Sequence, residues 1–291
     1  MFQFWKPAPP SRAVLVVGMH RSGTSAVTRG LQALSVYLGN DFLDVQPENP
    51  KGYWEDKGIV GINERVLAAL GLKWDDVSPI DVRKFQRPRV RALHREAIRY
   101  VRRSFRSQPL WGFKDPRTIR ILPFWCGVLH DSNVRDAYVV AIRHPLSIAA
   151  SLLRRQATDA GTAFRLWLVN VVPFFSELRE KPLVVVDYDL LVGDPRPQLE
   201  RVARALDLPV TARSAAQIDE FAAHFLDADL RHSTFSPNEF ESDSDAGRLA
   251  ARAFLALYGL AVEPAAVVTE SFWQEWASIA EALETARYFE R

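Results

Sequence analysis

Ala13-Val-Leu-Val-Val-Gly-Met-His-Arg-Ser-Gly-Thr-Ser25 decides the fold. An apolar run of strand type feeds a glycine-containing loop, and the loop opens directly into helix-compatible sequence. Gly18 and Gly23 stand where the pattern G-x-x-x-x-G-K-[ST] has its glycines, and Ser25 stands at its terminal hydroxyl position. A junction of this kind makes an anion site from backbone N–H groups and the positive end of a helix dipole. Thr24 replaces the lysine that reaches the β- and γ-phosphates in ATP- and GTP-using proteins. The phosphate cradle is kept, and ordinary nucleoside-triphosphate chemistry is disfavoured.

Outward from this segment, strands and helices alternate. Val14–Val17 suits a buried parallel strand, and Thr24–Leu38 has helical spacing before Gly39. Residues 39–57, rich in Asn, Asp, Pro and Gly, read as a loop of the kind that lines sites. Helices are expected over Ile59–Leu70, Phe85–Phe105, Thr118–Leu129, Pro145–Arg155 and, despite Pro173, Thr162–Glu180. Short strands are expected over Trp111–Phe113, Ala137–Ile142 and Leu183–Val186. This order predicts an α/β fold: a P-loop-like doubly wound parallel sheet flanked by helices, with ligands at the carboxyl ends of the strands. After about residue 210 only helical patterns recur, ending in Glu270–Arg291, with a loop near Arg231–Asp245. No boundary or repeat divides the chain. Residues 1–291 therefore read as one domain, with a core over about 11–210 and a helical C-terminal extension over about 211–291.

Composition narrows the function classes. Lys and Arg total 37 against 35 Asp and Glu, a formal charge of +2, so the arginines read as local anion sites and solvated faces, and no nucleic-acid partner is implied. The single cysteine, Cys126, excludes an internal disulfide framework and a cysteine-based zinc cluster; its apolar setting reads as an inert core thiol. A reducing, cytoplasmic location fits. Met1-Phe-Gln-Phe-Trp-Lys-Pro-Ala-Pro-Pro10 is too short and proline-broken for a signal peptide, and no apolar run reaches the length of a membrane span. Phe2, Phe4 and Trp5 leave peripheral contact with a membrane or a second subunit open, beside the plainer reading of a loose tail.

Three separated motifs carry a family resemblance. Arg21-Ser-Gly-Thr-Ser25 resembles the 5′-phosphosulfate loop of the sulfotransferase superfamily, whose members use 3′-phosphoadenosine 5′-phosphosulfate (PAPS). Tyr138-Val-Val-Ala-Ile-Arg-His-Pro145, with Ser151 eight residues after Arg143, is similar to that family's second signature. Val184-Val-Val-Asp-Tyr-Asp-Leu-Leu-Val-Gly-Asp-Pro195 resembles the strand-then-tyrosine segment that follows. The resemblance spans roughly residues 11–210.

It implies that Arg21, Ser22, Gly23, Thr24 and Ser25 hold the 5′-phosphosulfate, and that Arg143 and Ser151 hold the 3′-phosphate. Arginine suits a phosphate through its forked, charge-assisted hydrogen bonds. Tyr188 resembles the family tyrosine near the adenine, although a core tyrosine fits as well. Arg231 stands where a late basic segment closes over the 3′-phosphate, with a solvated arginine as the alternative. Gly112-Phe-Lys-Asp-Pro-Arg-Thr118 looks like the Lys-Asp-Pro segment of tyrosylprotein and several bacterial sulfotransferases, which assigns Lys114 to the charge on the transferring group and leaving phosphate. Asp115 reads as a helix cap, and Arg117 is left without a fixed role. His144 reads as a polar loop residue.

Transfer to a hydroxyl requires a proton acceptor. Asn49-Pro-Lys-Gly-Tyr-Trp-Glu-Asp56 resembles a bacterial Gly-Tyr-Trp/Phe-Glu segment and makes Glu55 the first choice, ahead of Asp41, Glu48 and Asp56. Its plainer reading is a charge favouring the next helix N-terminus. The expected reaction is in-line sulfuryl transfer from PAPS, leaving adenosine 3′,5′-bisphosphate, with Glu55, Lys114 and Arg21 as catalytic groups and no metal required. The acceptor is a hydroxyl of a carbohydrate or glycolipid, a small alcohol or phenol, or a peptide tyrosine. Tyr53, Trp54, Trp74, Phe124, Trp125 and Trp167 either line its cleft or belong to the core. The rivals are an atypical P-loop kinase and a noncatalytic nucleotide-binding module. The oligomeric state is not legible.

Overall fold

The computed structural model describes residues 11–46, 51–226, 233–240, 242, 244–263 and 268–285. Four parallel strands form its sheet: β1 (Arg12–Val17), β2 (Leu110–Lys114), β3 (Arg135–Ile142) and β4 (Leu183–Asp187), in the order β2-β1-β3-β4. Alternate residues of each strand face opposite sides, as the pleat requires. Ala13, Leu15 and Val17 enter one core with Tyr138, Val140 and Ile142; Val14 and Val16 enter the other with Ala137, Val139 and Ala141. Both faces are apolar because both are covered, as in parallel sheets generally.

One face carries α2 (Lys57–Leu70), α3 (Pro88–Phe105), α4 (Leu122–Asp131), α5 (Pro145–Gln156) and α6 (Ala160–Val171). The other carries α1 (Thr24–Ala33), and later α8 (Pro195–Ala205) and α9 (Ala212–Glu220), reached through the short α7 (Tyr188–Gly193). The fold is the α/β, P-loop-like doubly wound arrangement that the alternation predicts. The C-terminal helices α10 (Asp245–Val262) and α11 (Glu270–Thr285) join the first face through Phe254, Leu257, Phe272 and Trp276.

Four expected helices are shortened or divided. The one starting at Thr24 stops at Ala33; Ser35 takes φ 65°, and Tyr37 pairs with the edge of β2, its carbonyl accepting from Gly112 N–H at 2.8 Å. The stretch expected from Phe85 is split at Pro88, which begins α3 after a 3₁₀ turn over Val82–Gln86. The Thr162–Glu180 stretch ends at Val171 because Pro173 lacks the N–H to continue it, leaving a 3₁₀ turn over Phe175–Leu178. The helix expected from Thr118 is a 3₁₀ turn over Pro116–Ile121 followed by α4.

The order β2-β1-β3-β4 makes successive crossovers leave β1 in opposite directions, so the crevice lies between the carboxyl ends of β1 and β3. Gly18 follows β1 and Arg143 follows β3. Gly18 allows the two to meet: at φ 154° a Cβ would stand 2.3 Å from the Ala141 carbonyl oxygen.

Candidate active site

The loop between β1 and α1 turns through two left-handed residues, Arg21 at φ 70° and Gly23 at φ 78°, the sort of backbone that forms anion-binding nests. At Gly23 a Cβ would strike the Tyr188 ring at 2.1 Å, so glycine is required both for the turn and for the start of α7 against it. Asp56, His144, Asp159, Asp187, Thr211 and Ser244 cap α2, α5, α6, α7, α9 and α10 with their side chains. Helix α1 has no side-chain cap, and its first turn holds no acid. Its leading N–H groups are available to an anion, and its dipole favours one.

A cavity of about 610 Å³ opens over this loop. Its walls bring together Arg21, Gly23, Thr24, Ser25, Glu55, Lys114, Arg143 and Tyr188, from segments spread across the expected core. Arg21, Lys51, Lys114, Arg117, Arg143 and Arg155 line it against two carboxylates, Asp44 and Glu55. That imbalance suits an anionic ligand. Ser22 does not line it; the side chain is buried, with Oγ unpartnered among the described residues. Ser25 Oγ donates to the Tyr53 carbonyl at 3.0 Å, tying the loop to the 39–57 segment.

Ser151 lies behind the wall, and Arg21 Nε donates to its Oγ at 2.9 Å. The serine expected beside Arg143 is thus in direct contact with the loop arginine. Arg143 is buried; its guanidinium lies 4.7 Å from the Tyr188 ring centroid, and Nη2 donates to the Ser233 carbonyl at 3.0 Å. Its Nε has no hydrogen-bond partner among the described residues and lies 3.7 Å from Asp189 Oδ2. Tyr188 therefore acts as a platform for Arg143 at the cavity edge. Burial, then Arg155 and Arg143, lower the Arg21 guanidinium from its ordinary value. Arg231 and Glu48 lie outside the described residues.

Glu55 and Lys114 form a buried pair, with Nζ donating to Oε1 at 2.6 Å and to the Tyr53 carbonyl at 2.8 Å. Burial raises the Glu55 carboxyl above its ordinary value, with Lys114 opposing. The neighbouring Asp56, not Glu55, serves the helix: its Oδ1 accepts from Ile59 N–H at 2.9 Å. Asp41 is exposed, 3.7 Å from Lys57 Nζ, and does not line the cavity. Asp115 is the expected cap, accepting from Arg117 N–H at 2.9 Å, and it also anchors the Arg117 guanidinium at 2.9 Å. Arg117 then stands 3.8 Å from Glu55 Oε2 and 3.3 Å from Glu64.

Other members of the site carry no sequence signal. Asn63 donates to Asp115 Oδ2 at 2.9 Å and to Thr118 Oγ1 at 3.1 Å, and its own carbonyl accepts from Trp125 Nε1 at 2.7 Å. Fifty or more residues separate it from each partner. His20 sits at an unrestricted position of the loop motif, yet it lines the cavity with its ring 4.6 Å from Trp74. Its Nδ1 is shielded and unpartnered among the described residues. Burial, then Arg117, Lys114, Arg21 and Arg155, push His20 well below its ordinary value, so it stands as a neutral imidazole.

His144 stands in the loop before α5, as expected, but it does not face solvent. It is buried, caps α5 through Nδ1 accepting from Leu146 N–H at 3.2 Å, and packs among Phe235, Phe240 and Phe254. Of the aromatic candidates, Tyr53 and Trp74 line the cavity, while Phe124, Trp125 and Trp167 are core. Trp54 packs between Phe42 and Phe225, at 5.5 and 6.1 Å. Cys126 is half-buried rather than fully in the core, and its sulfur lies 3.3 Å from Tyr138 Oη.

The cavity thus joins an uncapped helix N-terminus, a surplus of cations and a carboxylate–lysine pair at the switch point of a doubly wound sheet. The model of the sulfotransferase family matches residues 13–212, and the chain belongs to that family. Among solved structures it is similar to the sulfotransferase domain of the olefin synthase of Synechococcus PCC 7002, at 14% identity, covering 98% of this chain and 99% of that one, with a TM-score of 0.46. The sulfotransferase domain of the curacin biosynthetic pathway matches at 16% identity over 96% and 99%, with a TM-score of 0.44. Sulfotransferase STF9 of Mycobacterium avium matches at 17% identity over 96% and 78%, with a TM-score of 0.43. No curated protein matches the chain. No helix among the described residues is long and apolar enough to cross a membrane.

Proposed function

We propose that this protein transfers the sulfuryl group of PAPS to an acceptor hydroxyl. The observation that carries the reading is the uncapped N-terminus of α1 opening into the same cavity as the Glu55–Lys114 pair. The leading N–H groups of α1 beside Arg21, and the Arg143 guanidinium, whose Nε has no hydrogen-bond partner among the described residues, fit the two ends of a bisphosphate. The 5′-phosphosulfate is assigned to the first N–H groups of α1, Arg21, Ser22, Gly23, Thr24 and Ser25. The 3′-phosphate is assigned to Arg143 and Ser151, and the adenine to the neighbourhood of Tyr188. PAPS supplies an activated sulfuryl group on a phosphate leaving group.

In this reading the acceptor oxygen bonds to sulfur as the sulfur–oxygen bond to the 5′-phosphate breaks. Glu55 takes the hydroxyl proton, and Arg21 and Lys114 hold the negative charge on the sulfuryl oxygens and on the departing phosphate. Attraction of Lys114 toward that charge loosens its hold on Glu55, which strengthens the carboxylate as a base. The products are a sulfate ester and adenosine 3′,5′-bisphosphate. Trp74, Tyr53 and the neutral His20 offer a half-aromatic wall suited to a sugar ring or phenol, so carbohydrate, small-alcohol and phenol acceptors lead the candidates, with peptide tyrosine behind.

The test is transfer of labelled sulfate from PAPS to fractionated cell extract, with adenosine 3′,5′-bisphosphate binding measured calorimetrically in parallel. Sulfated product establishes the reading. Tight bisphosphate binding with no transfer to any fraction would favour a noncatalytic module, and absence of binding would overturn the donor assignment.

A further inference from the structure

Helix α3 presents a long stripe of exposed arginine. Its apolar residues Val90, Leu93, Ala97, Val101 and Phe105 are buried. Arg91, Arg95, Arg99, Arg102, Arg103 and Arg106 are all exposed. At about 100° per residue these six fall within an arc of roughly 120° opposite the buried side, and at about 1.5 Å per residue they run for about 22 Å.

Several exposed arginines elsewhere meet carboxylates, as in Arg179–Glu270, Arg196–Asp219 and Arg252–Glu275. On α3 the one acid, Glu96, is taken by Arg65 at 2.6 Å. Arg102 donates to the Asp131 carbonyl at 3.1 Å and Arg103 lies 5.4 Å from the Tyr100 ring, but among the described residues no carboxylate lies within ion-pair distance of any of the six. Arg91 and Arg95, Arg95 and Arg99, Arg99 and Arg103, and Arg102 and Arg106 are like charges one helical turn apart, each pair costing a few tenths of a kcal/mol. A chain with a formal charge of only +2 has concentrated repelling charge on one helix face.

We propose that this face docks the protein on an anionic lipid surface. The apolar side of α3 is committed to the core, so contact is electrostatic and lies along the helix, as a flat charged surface accommodates. The C-terminal end of the stripe, Arg102 and Arg106, shares a cleft with Ser11. The sequence just before Ser11 carries Phe2, Phe4 and Trp5. Those aromatic residues lie outside the described residues, but a chain that carries both a basic helix face and aromatic sequence has the two kinds of signal that peripheral membrane association combines, whereas duplex nucleic acid calls for the basic charge alone. The proposal is independent of sulfuryl transfer, because its test reads lipid partition.

The experiment is co-sedimentation of the full chain with vesicles of phosphatidylcholine alone or mixed with phosphatidylglycerol, at low and high salt. Binding is expected only to the mixed vesicles, weakening steeply with salt. The combined variant Arg95→Glu, Arg99→Glu, Arg103→Glu should lower the partition by at least about a hundredfold, since each basic residue at such a surface contributes about 1 kcal/mol. Its melting temperature and bisphosphate affinity serve as folding controls, and the corresponding Arg→Gln variant replaces it if the charge reversal fails to fold. Absence of binding to the mixed vesicles, equal binding to both vesicle types, or unchanged binding by the folded variant would each overturn the proposal. So would tighter binding to duplex DNA than to the mixed vesicles at matched salt.

Discussion

Lys114 Nζ and Glu55 Oε1 lie 2.6 Å apart with both side chains buried, so the last residue of β2 and the residue before the cap of α2 are joined by one ion pair. A buried pair is expensive to break from one side, about 3–5 kcal/mol, because the remaining charge stays desolvated. The same contact is thus structural at rest and, in the proposed reaction, chemical.

Glu55→Gln keeps size and a hydrogen-bond acceptor for Lys114 but loses ready proton acceptance. Transfer to an alkyl hydroxyl is expected to fall by about 10²–10⁴-fold while bisphosphate affinity survives. The loss should shrink along a series of increasingly acidic phenols, which need less help in losing the proton. Near-wild-type turnover with chemistry rate-limiting would remove Glu55 from the role.

Arg143→Ala should weaken adenosine 3′,5′-bisphosphate roughly tenfold or more and leave AMP nearly unaffected, because one charge-assisted contact is worth about 1.5–3 kcal/mol. Calorimetry with both ligands checks this. Equal weakening would detach Arg143 from the 3′-phosphate.

Excess EDTA should leave transfer intact, since the α1 dipole, Arg21 and Lys114 supply the positive potential that magnesium supplies in kinases. Lys114→Ala should impair acceptors of every acidity alike, in contrast to Glu55→Gln. Loss of activity in EDTA with rescue by magnesium would point to the kinase chemistry that Thr24 argues against.

Stability should depend on His144 through acid. Burial, opposed by Glu239, lowers its pKa to about 4 from the ordinary 6.5, so between those values the unfolded chain holds a proton that the folded one refuses. The contribution is complete above pH 6.5 and is lost as pH falls toward 4. Asp187, raised to about 6 from 3.8 chiefly by burial, works in the opposite direction over much of this window. A difference measurement is therefore needed. His144→Asn keeps a capping side chain for α5, and the slope of unfolding free energy against pH should fall by up to about 1.4 kcal/mol per pH unit relative to wild type. An unchanged slope in denaturant titrations between pH 6.5 and 5 would contradict the assignment.

The strand, loop and first helix were legible because Val14–Val17 must be buried and Gly18 and Gly23 must turn; both requirements are local. So were the positions of Arg143 and Lys114, each at or just beyond the end of a short apolar strand. His20 was not, because its loop position permits any residue and its neutrality comes from cations on other segments. Asn63 was hidden for the same reason: an asparagine within a helical pattern gives no sign that it binds Asp115, Thr118 and Trp125. The burial of His144 was hidden because a loop histidine beside a proline gives no sign that Phe235, Phe240 and Phe254 close over it. Helix ends failed where a later contact, such as Tyr37 on β2, overrode the helical spacing.

The direct pairing of β1 with β3 has a final consequence for ligand choice. Val17 pairs with Val140 in one hydrogen-bonded ladder, the loop of Arg21 springs from one strand, and Arg143 follows the other. In the proposed reading, Arg21 and Arg143, assigned to the two ends of the donor, thus follow neighbouring strands about 4.8 Å apart that are joined by backbone hydrogen bonds rather than by a hinge. The ladder works as a fixed gauge: a ligand whose phosphates are spaced otherwise cannot recruit both ends by bending the protein. In the same reading the acceptor meets Tyr53 and Trp74, which lie outside that ladder, so acceptor preference is free to drift while the donor gauge stays set.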